Sequence, residues 1–202
     1  MRFLYCVAIC APLLAQTPVG EAIDSPRVHA HVATEQPHTP SALHEHVNNR
    51  VMIYLDDGEM TYTTPGGKRE RIRFKKGDVR WTPASAPHIS ENTGEKTFRM
   101  AEIELKGKPG SPPPVLSKID PLKVDPKHYS LVLDNAQVRV LRVKFGPLEK
   151  GQQHEHTFEN IVVYVNDQAR GKSGEMRLDG PRTHSEENPL DHAVERISVD
   201  LK

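Results

Sequence analysis

The sequence predicts an all-β protein made of two tandem barrels of short antiparallel strands, the second shorter than the first. Apolar residues occur in short β-branched runs that end at turn residues, and an internal repeat divides the chain into two copies. No long stretch shows the 3.6-residue period of an amphipathic helix. Only 5% of the 202 residues are aromatic and 17 are prolines, which also argues against a helical bundle.

The chain begins with the pattern of a secretory signal peptide, predicted over residues 1–15. One arginine precedes an apolar stretch from Phe3 to Leu14, and the small residue Ala15 follows it. A buried N-terminal strand is the alternative. A signal predicts a periplasmic or secreted protein. Because Cys6 and Cys10 both lie inside it, we expect no disulfide, thiolate ligand or cysteine nucleophile in the mature chain.

The repeat sets the predicted domain boundaries. Residues 24–58 align with 134–168 at an offset of 110, and residues 88–106 align with 184–202 at an offset of 96. The sequence therefore predicts a first barrel over 22–106 and a second over 128–202. The second copy is shorter between its aligned ends, so we expect it to lack about one hairpin. The proline-rich residues 107–127 predict an extended connector.

Strands follow one another along both copies in the same order. In the first copy, Val51–Leu55 is a β-branched run that ends at the turn residues Asp56-Asp57-Gly58. In the second, Val138–Val143 alternates apolar and polar residues, which is typical of a half-buried strand, and Ile161–Val165 repeats the apolar run. We therefore expect very little helix.

Histidines carry the functional signal. His44 and His46 in the first copy, and His154 and His156 in the second, are two residues apart, so each pair lies on one face of a strand. A third histidine follows each pair at a matched position: His88 and His184. Imidazole is a common ligand for transition metals, so each set of three predicts a metal site. The alternative is a metal-free pocket whose histidines bond one another or a ligand.

These motifs resemble those of the cupin superfamily, and specifically a two-cupin protein. Gly77–Asn92 fits the second cupin motif with only Ser85 replacing a glycine, and Gly174–Asn188 fits it in a shorter form. The resemblance implies two jelly-roll-like barrels and one divalent metal per intact barrel, with Fe, Mn, Ni, Co and Zn all compatible. The glutamate of the first cupin motif is missing from both copies, in which Arg50 and Asn160 stand four residues after the pair.

Other polar and aromatic residues have two possible roles. Arg50, Tyr54 and Trp81 are candidates for substrate binding. Alternatively, Arg50 is an exposed cation at a strand edge and the two aromatic residues belong to the core or rim. Glu45 and Glu155 should point away from the histidines by strand alternation. We expect no metal role for His29 and His31, because the second copy has no histidines at their positions.

Composition narrows the function without identifying it. Lysine plus arginine equals aspartate plus glutamate at 27 each, so nothing favours nucleic acid as a partner. No apolar run reaches the roughly 18 residues of a membrane span. Two functions remain open: a metal-dependent oxidoreductase or isomerase acting on a small organic molecule, or a non-catalytic protein that binds a small ligand or metal. A homodimer is also considered. We expect the first barrel, which keeps the full-length interval between its two motifs, to be the more enzyme-like of the two.

Overall fold

Strands make up nearly all the regular structure in the residues that the computed structural model describes, 22–107 and 115–202. The first half contains β1 (Ile23–Asp24), β2 (Val28–Glu35), β3 (His44–His46), β4 (Arg50–Tyr54), β5 (Gly58–Thr63), β6 (Arg69–Phe74), β7 (Val79–Thr82), β8 (Ser85–Asn92) and β9 (Phe98–Leu105). The second half contains β10 (Tyr129–Asp134), β11 (Val138–Phe145), β12 (His154–His156), β13 (Asn160–Tyr164), β14 (Met176–Asp179), β15 (Arg182–His184) and β16 (Val194–Leu201). A four-residue helix, α1 (Pro121–Val124), lies between them. The predicted signal peptide, with both cysteines, falls outside the described residues.

Each half is built from a five-stranded sheet and a smaller one. In the first half the sheets have the orders β1-β2-β9-β4-β7 and β3-β8-β5-β6, and in the second β10-β11-β16-β13-β14 and β12-β15. All pairings between these strands are antiparallel. The all-β prediction of two tandem jelly-roll barrels is confirmed. The second is shorter because no strand in its described residues corresponds to the β5–β6 hairpin.

The two halves share one hydrophobic core. Strand alternation sends Val51, Ile53 and Leu55 of the first five-stranded sheet to the same face. They pack in one buried cluster with Ile161 and Val163 of the second sheet. The two five-stranded sheets therefore pack against each other, and each turns its opposite face towards the interior of its own barrel. The sequence predicted two barrels joined by a connector but gave no indication of this contact.

The interior face of the first sheet accounts for the aromatic candidate Tyr54. Its side chain is 2% exposed and its ring stacks on Phe74 at 3.7 Å between ring centroids. Trp81 is half-buried and packs against the core between the sheets. Both side chains therefore contribute to packing, and the substrate-binding role considered for them stays a prediction.

The second half of the connector is folded, contrary to the prediction. Asp120 caps α1 by accepting a hydrogen bond from the Leu122 amide at 3.1 Å. The same carboxylate binds the Arg139 guanidinium through two hydrogen bonds, at 2.6 and 2.9 Å. Both side chains are buried, so they anchor the connector to the second barrel. Residues 108–114, which carry several of the connector's prolines, lie outside the described residues. No helix in the described parts of the chain is long and apolar enough to cross a membrane.

Candidate metal centres

Strand register brings three histidines together in each half. β3 pairs with β8 so that His44 lies opposite His88, and β12 pairs with β15 so that His154 lies opposite His184. Within each set, one nitrogen from each histidine lies within 4.8 Å of the other two. We call these sets the first cluster (His44, His46, His88) and the second cluster (His154, His156, His184). The convergence predicted from the sequence is present in both.

Backbone carbonyls orient three of the six imidazoles. Nδ1 of His44 lies 2.8 Å from the Ala42 carbonyl, Nδ1 of His88 3.0 Å from Ala86, and Nδ1 of His154 2.8 Å from Gln152. A carbonyl oxygen only accepts, so each Nδ1 carries the proton and Nε2 keeps a free lone pair. Histidines that bind metals have this arrangement.

A carboxylate that was not predicted from the sequence lies beside the second cluster. Oε1 of Glu186 lies 3.9 Å from Nε2 of His184. The Tyr129 hydroxyl donates to Oε2 of Glu186 at 2.5 Å and lies 3.0 Å from Nε2 of His154. Arg196 forms an ion pair with the same carboxylate. Glu186 therefore borders the cluster beside His184, and Arg196 and Tyr129 hold its carboxylate in place.

Hydrogen bonds satisfy only part of the second cluster. Nε2 of His154 pairs with Nε2 of His156 at 3.2 Å, and Nδ1 of His156 is buried with no hydrogen-bond partner among the described residues. Nε2 of His184 is buried with no hydrogen-bond partner among the described residues. Leaving buried acceptors unpaired is costly, and a divalent cation would satisfy all of them. The residues of this cluster fit a metal ion.

Burial keeps the second cluster in the state that a metal needs. It lowers the pKa of His156 to about 2 and that of His184 to about 4, with the neighbouring histidine His154 acting in the same direction. Burial is also the main cause of the lowered pKa of His154. Coordinating imidazole must be neutral, so these shifts favour metal binding over protonation.

In the first cluster, Arg50 lies beside His46. Its Nη1 lies 2.7 Å from Nε2 of His46 and 3.1 Å from Oε1 of Glu102. The whole residue is only 4% exposed, so the expectation of an exposed strand-edge cation is wrong. Burial, then the charge of Arg50, lowers the pKa of His46 to about 4. The guanidinium donates to His46, so the lone pair that a metal would need is already used.

The two glutamates between the paired histidines differ in exposure. Glu45 is exposed, as alternation predicts. Glu155 is half-buried instead, and accepts a hydrogen bond from the Ser117 hydroxyl at 2.6 Å. His29 and His31 belong to neither cluster. His29 contacts Asp24 at 3.2 Å.

A small pocket adjoins the second cluster. Its volume is about 110 Å³, and Glu186 and Arg196 form part of its wall together with Arg170 and Arg177. Arg196 is half-buried, with 13% of its side chain exposed, whereas Arg170 is exposed at the surface. Arg177 is held by the Tyr164 hydroxyl at 3.0 Å and by Asp179 at 2.7 Å. Three arginines thus line a pocket that reaches the second cluster through Glu186.

Comparison with known proteins identifies a similar domain family and similar folds. Residues 31–104 match the family described as the cupin domain. A cupin 2 conserved barrel domain protein from Leptotrichia buccalis is 12% identical, with a TM-score of 0.56 over 96% of this chain and 92% of its own. A search of curated proteins finds no match. Residues 31–104 thus match the cupin domain, and the chain as a whole shares its fold with a cupin barrel protein.

Two enzymes share that fold at similarly low identity. Oxalate decarboxylase from Bacillus subtilis, a protein with Mn(II) centres, is 11% identical, with a TM-score of 0.58 over 87% of this chain and 69% of its own. A variant of salicylate 1,2-dioxygenase from Pseudoaminobacter salicylatoxidans is 12% identical, with a TM-score of 0.56 over 86% and 72%. These likenesses establish the fold of the chain and not its activity.

Proposed function

We propose that the protein is a two-cupin metalloprotein that binds one divalent transition metal in its second cluster and acts on a small organic carboxylate. The observation that carries the proposal is the convergence of the three imidazoles of His154, His156 and His184, with the Glu186 carboxylate beside them. Nitrogen and oxygen donors of this kind suit Fe, Mn, Co, Ni or Zn. The ranking of the two barrels is thus the reverse of the one expected from barrel size.

The bound metal would act as a Lewis acid or an oxygen-activating centre. The surrounding residues have their own tasks. Tyr129 holds a proton between Glu186 and His154, within reach of both. Arg196 neutralises part of the charge on Glu186 and fixes its orientation. The burial of His154 and His156 keeps bulk water away from the cluster, which strengthens its electrostatic interactions.

Two observations support a carboxylate substrate. The pocket beside Glu186 is lined by three arginines, and the planar guanidinium group binds carboxylates through paired hydrogen bonds. The two enzymes that share the fold act on oxalate and salicylate, and both compounds carry carboxylates. The reaction would be an oxidation, an isomerisation or a related bond cleavage.

The proposal also includes a location and an assembly. The signal pattern of residues 1–15 supports export to the periplasm or beyond, and the repeat supports a second, shortened cupin domain over 128–202. A homodimer is compatible with these features. Mass spectrometry of the mature N-terminus and light scattering of the purified protein test these points directly.

The decisive experiment measures metal content and turnover in matched variants. Untagged protein would be purified, and its metals measured by inductively coupled plasma mass spectrometry, before and after loading with Mn²⁺, Fe²⁺, Co²⁺, Ni²⁺ or Zn²⁺. His154→Ala/His156→Ala should lose the metal, whereas the matched His44→Ala/His46→Ala should retain it. Loaded protein would then be assayed with oxalate, salicylate and similar small acids for oxygen uptake and carbon dioxide release.

The outcomes of these measurements distinguish an enzyme from a non-catalytic binding protein. Metal binding with turnover that disappears in His154→Ala/His156→Ala supports the enzyme. Tight metal or ligand binding without turnover across the panel supports the non-catalytic alternative. A second cluster that takes up none of the five metals refutes the proposal.

A further inference from the structure

The two clusters differ most at one pair of equivalent positions. Four residues after the His-Glu-His triplet stands Arg50 in the first half and Asn160 in the second, related by the repeat offset of 110. This is the position where the cupin motif has a glutamate. A negatively charged ligand of the motif has therefore become a cation in one half and a neutral amide in the other.

The structure shows what the arginine does there. β4 alternates so that Arg50 faces the barrel interior with Met52 and Tyr54, whereas Val51 and Ile53 face the other sheet. From that face its Nη1 reaches Nε2 of His46 at 2.7 Å. In the second cluster, by contrast, Nε2 of His156 contacts another imidazole, at Nε2 of His154, and no guanidinium.

The two clusters also have their carboxylates at different positions of the repeat. Glu102 on β9 pairs with Arg50 at 3.1 Å, and its repeat equivalent, at an offset of 96, is Ser198. Conversely, Glu186 in the second half is equivalent to Ser90 in the first. The first cluster therefore combines a cation with its own counter-ion, and both side chains are buried, at 5% and 11% exposed.

We propose that the guanidinium of Arg50 takes the place of a metal ion in the first cluster, so that this cluster is metal-free while the second is loaded. Arg50 supplies the positive charge that a metal would otherwise bring. It binds the lone pair of His46 and the Glu102 carboxylate, which are the groups that would bind a metal. For a metal to enter, Arg50 must leave a buried ion pair, and the ion and the guanidinium repel each other at short range. The metal stoichiometry of the chain is then one, although it has two histidine clusters.

The proposal shares the metal assignment of the second cluster with the proposed function, but its test does not depend on that assignment. The experiment compares first-cluster binding in a background where the second cluster is removed by His154→Ala/His156→Ala. Co²⁺ is the probe, because its visible absorption reports bound ligands, and the number of equivalents is measured by mass spectrometry. Into this background Arg50→Gln is introduced, with Arg73→Gln as the matched control. Arg73 is an exposed arginine of the same half whose ion pair is with Glu59.

The proposal predicts that the background and the Arg73→Gln control bind no Co²⁺ at micromolar concentrations. The Arg50→Gln variant should bind one equivalent, with at least a tenfold gain in affinity. Circular dichroism and the thermal midpoint verify folding. If Arg50→Gln alone does not fold because Glu102 is left unpaired, Arg50→Gln/Glu102→Gln removes both charges, and it should still bind more Co²⁺ than the background.

Two results would overturn the proposal. One is Co²⁺ binding to the background with Arg50 in place and its loss on adding His44→Ala/His46→Ala, because the first cluster would then accept metal beside the arginine. The other is no gain of binding in any folded variant that lacks Arg50. Failure of the second cluster to bind metal in the otherwise unchanged protein would refute the proposed function and would leave this comparison intact.

Discussion

Replacing Glu186 with glutamine tests whether its carboxylate helps to hold the metal. The substitution removes one negative charge and keeps the size of the side chain. Oε1 lies 3.9 Å from Nε2 of His184, so a metal bound to that nitrogen at about 2.1 Å lies no more than about 6 Å from the carboxylate. Two unit charges about 6 Å apart interact by roughly 3 kcal/mol at an effective dielectric constant of about 20. Arg196 offsets part of this attraction. We therefore expect a loss of about 1.4–2.8 kcal/mol, or roughly 10- to 100-fold in metal affinity.

The assay is a competition titration against a chromogenic chelator at about pH 7.5. Glu187→Gln is the control, because Glu187 is an exposed neighbour that pairs with Lys150 at 3.2 Å. This variant should bind metal as the unchanged protein does. Thermal midpoints of the metal-free proteins correct for any loss of stability when Arg196 loses its partner. Equal affinities for Glu186→Gln and Glu187→Gln would show that the carboxylate is not part of the site.

Three further predictions follow from burial. Burial lowers the pKa of His184 to about 4, so its imidazole stays neutral well below pH 6.5. Metal content measured after equilibration should therefore persist to about pH 5 and fall towards pH 4. Metal release centred between pH 6 and 7 would contradict this. Burial raises the pKa of Asp200 from 3.8 to about 7, so its contribution to stability is present at low pH and is lost as the pH rises through 7. Asp200→Asn should therefore raise the thermal midpoint at pH 8 more than at pH 5. An equal effect at both pH values would refute the raised pKa. A Cβ on Gly58 would lie 2.8 Å from the Phe74 ring, so Gly58→Ala should destabilise by about 1–3 kcal/mol in urea unfolding, whereas Gly66→Ala, with nothing within 4 Å, should not.

The fold was predictable where the residues show a local pattern. β-branched runs and turn residues located the strands, and the repeat located the two halves. The contact between the five-stranded sheets was not predictable, because every residue of the run Val51–Leu55 is apolar and alternation does not show which face meets a partner. Proline density also misled the prediction for the connector. The pair Asp120-Pro121 is a capping residue followed by a proline in the first helical turn, and it begins α1.

The candidate site was likewise predictable only where it depends on the spacing of residues along the sequence. The spacing of the histidines was sufficient to assemble both clusters. Glu186 had a usable signal, since it stands two residues after His184. Tyr129 had none, because it comes from a strand whose place beside the cluster depends on long-range pairing. The contact between Arg50 and His46 likewise depends on how β4 and β3 are placed around the barrel, which no local pattern describes.

The location of the bound metal tests the account most directly. Crystals of protein loaded with one equivalent of Mn²⁺ or Co²⁺ would be measured at the absorption edge of the metal, and an anomalous difference map would be calculated. The account predicts one strong peak among His154, His156 and His184 and no peak among His44, His46 and His88. A dominant peak in the first cluster, beside Arg50, would contradict it.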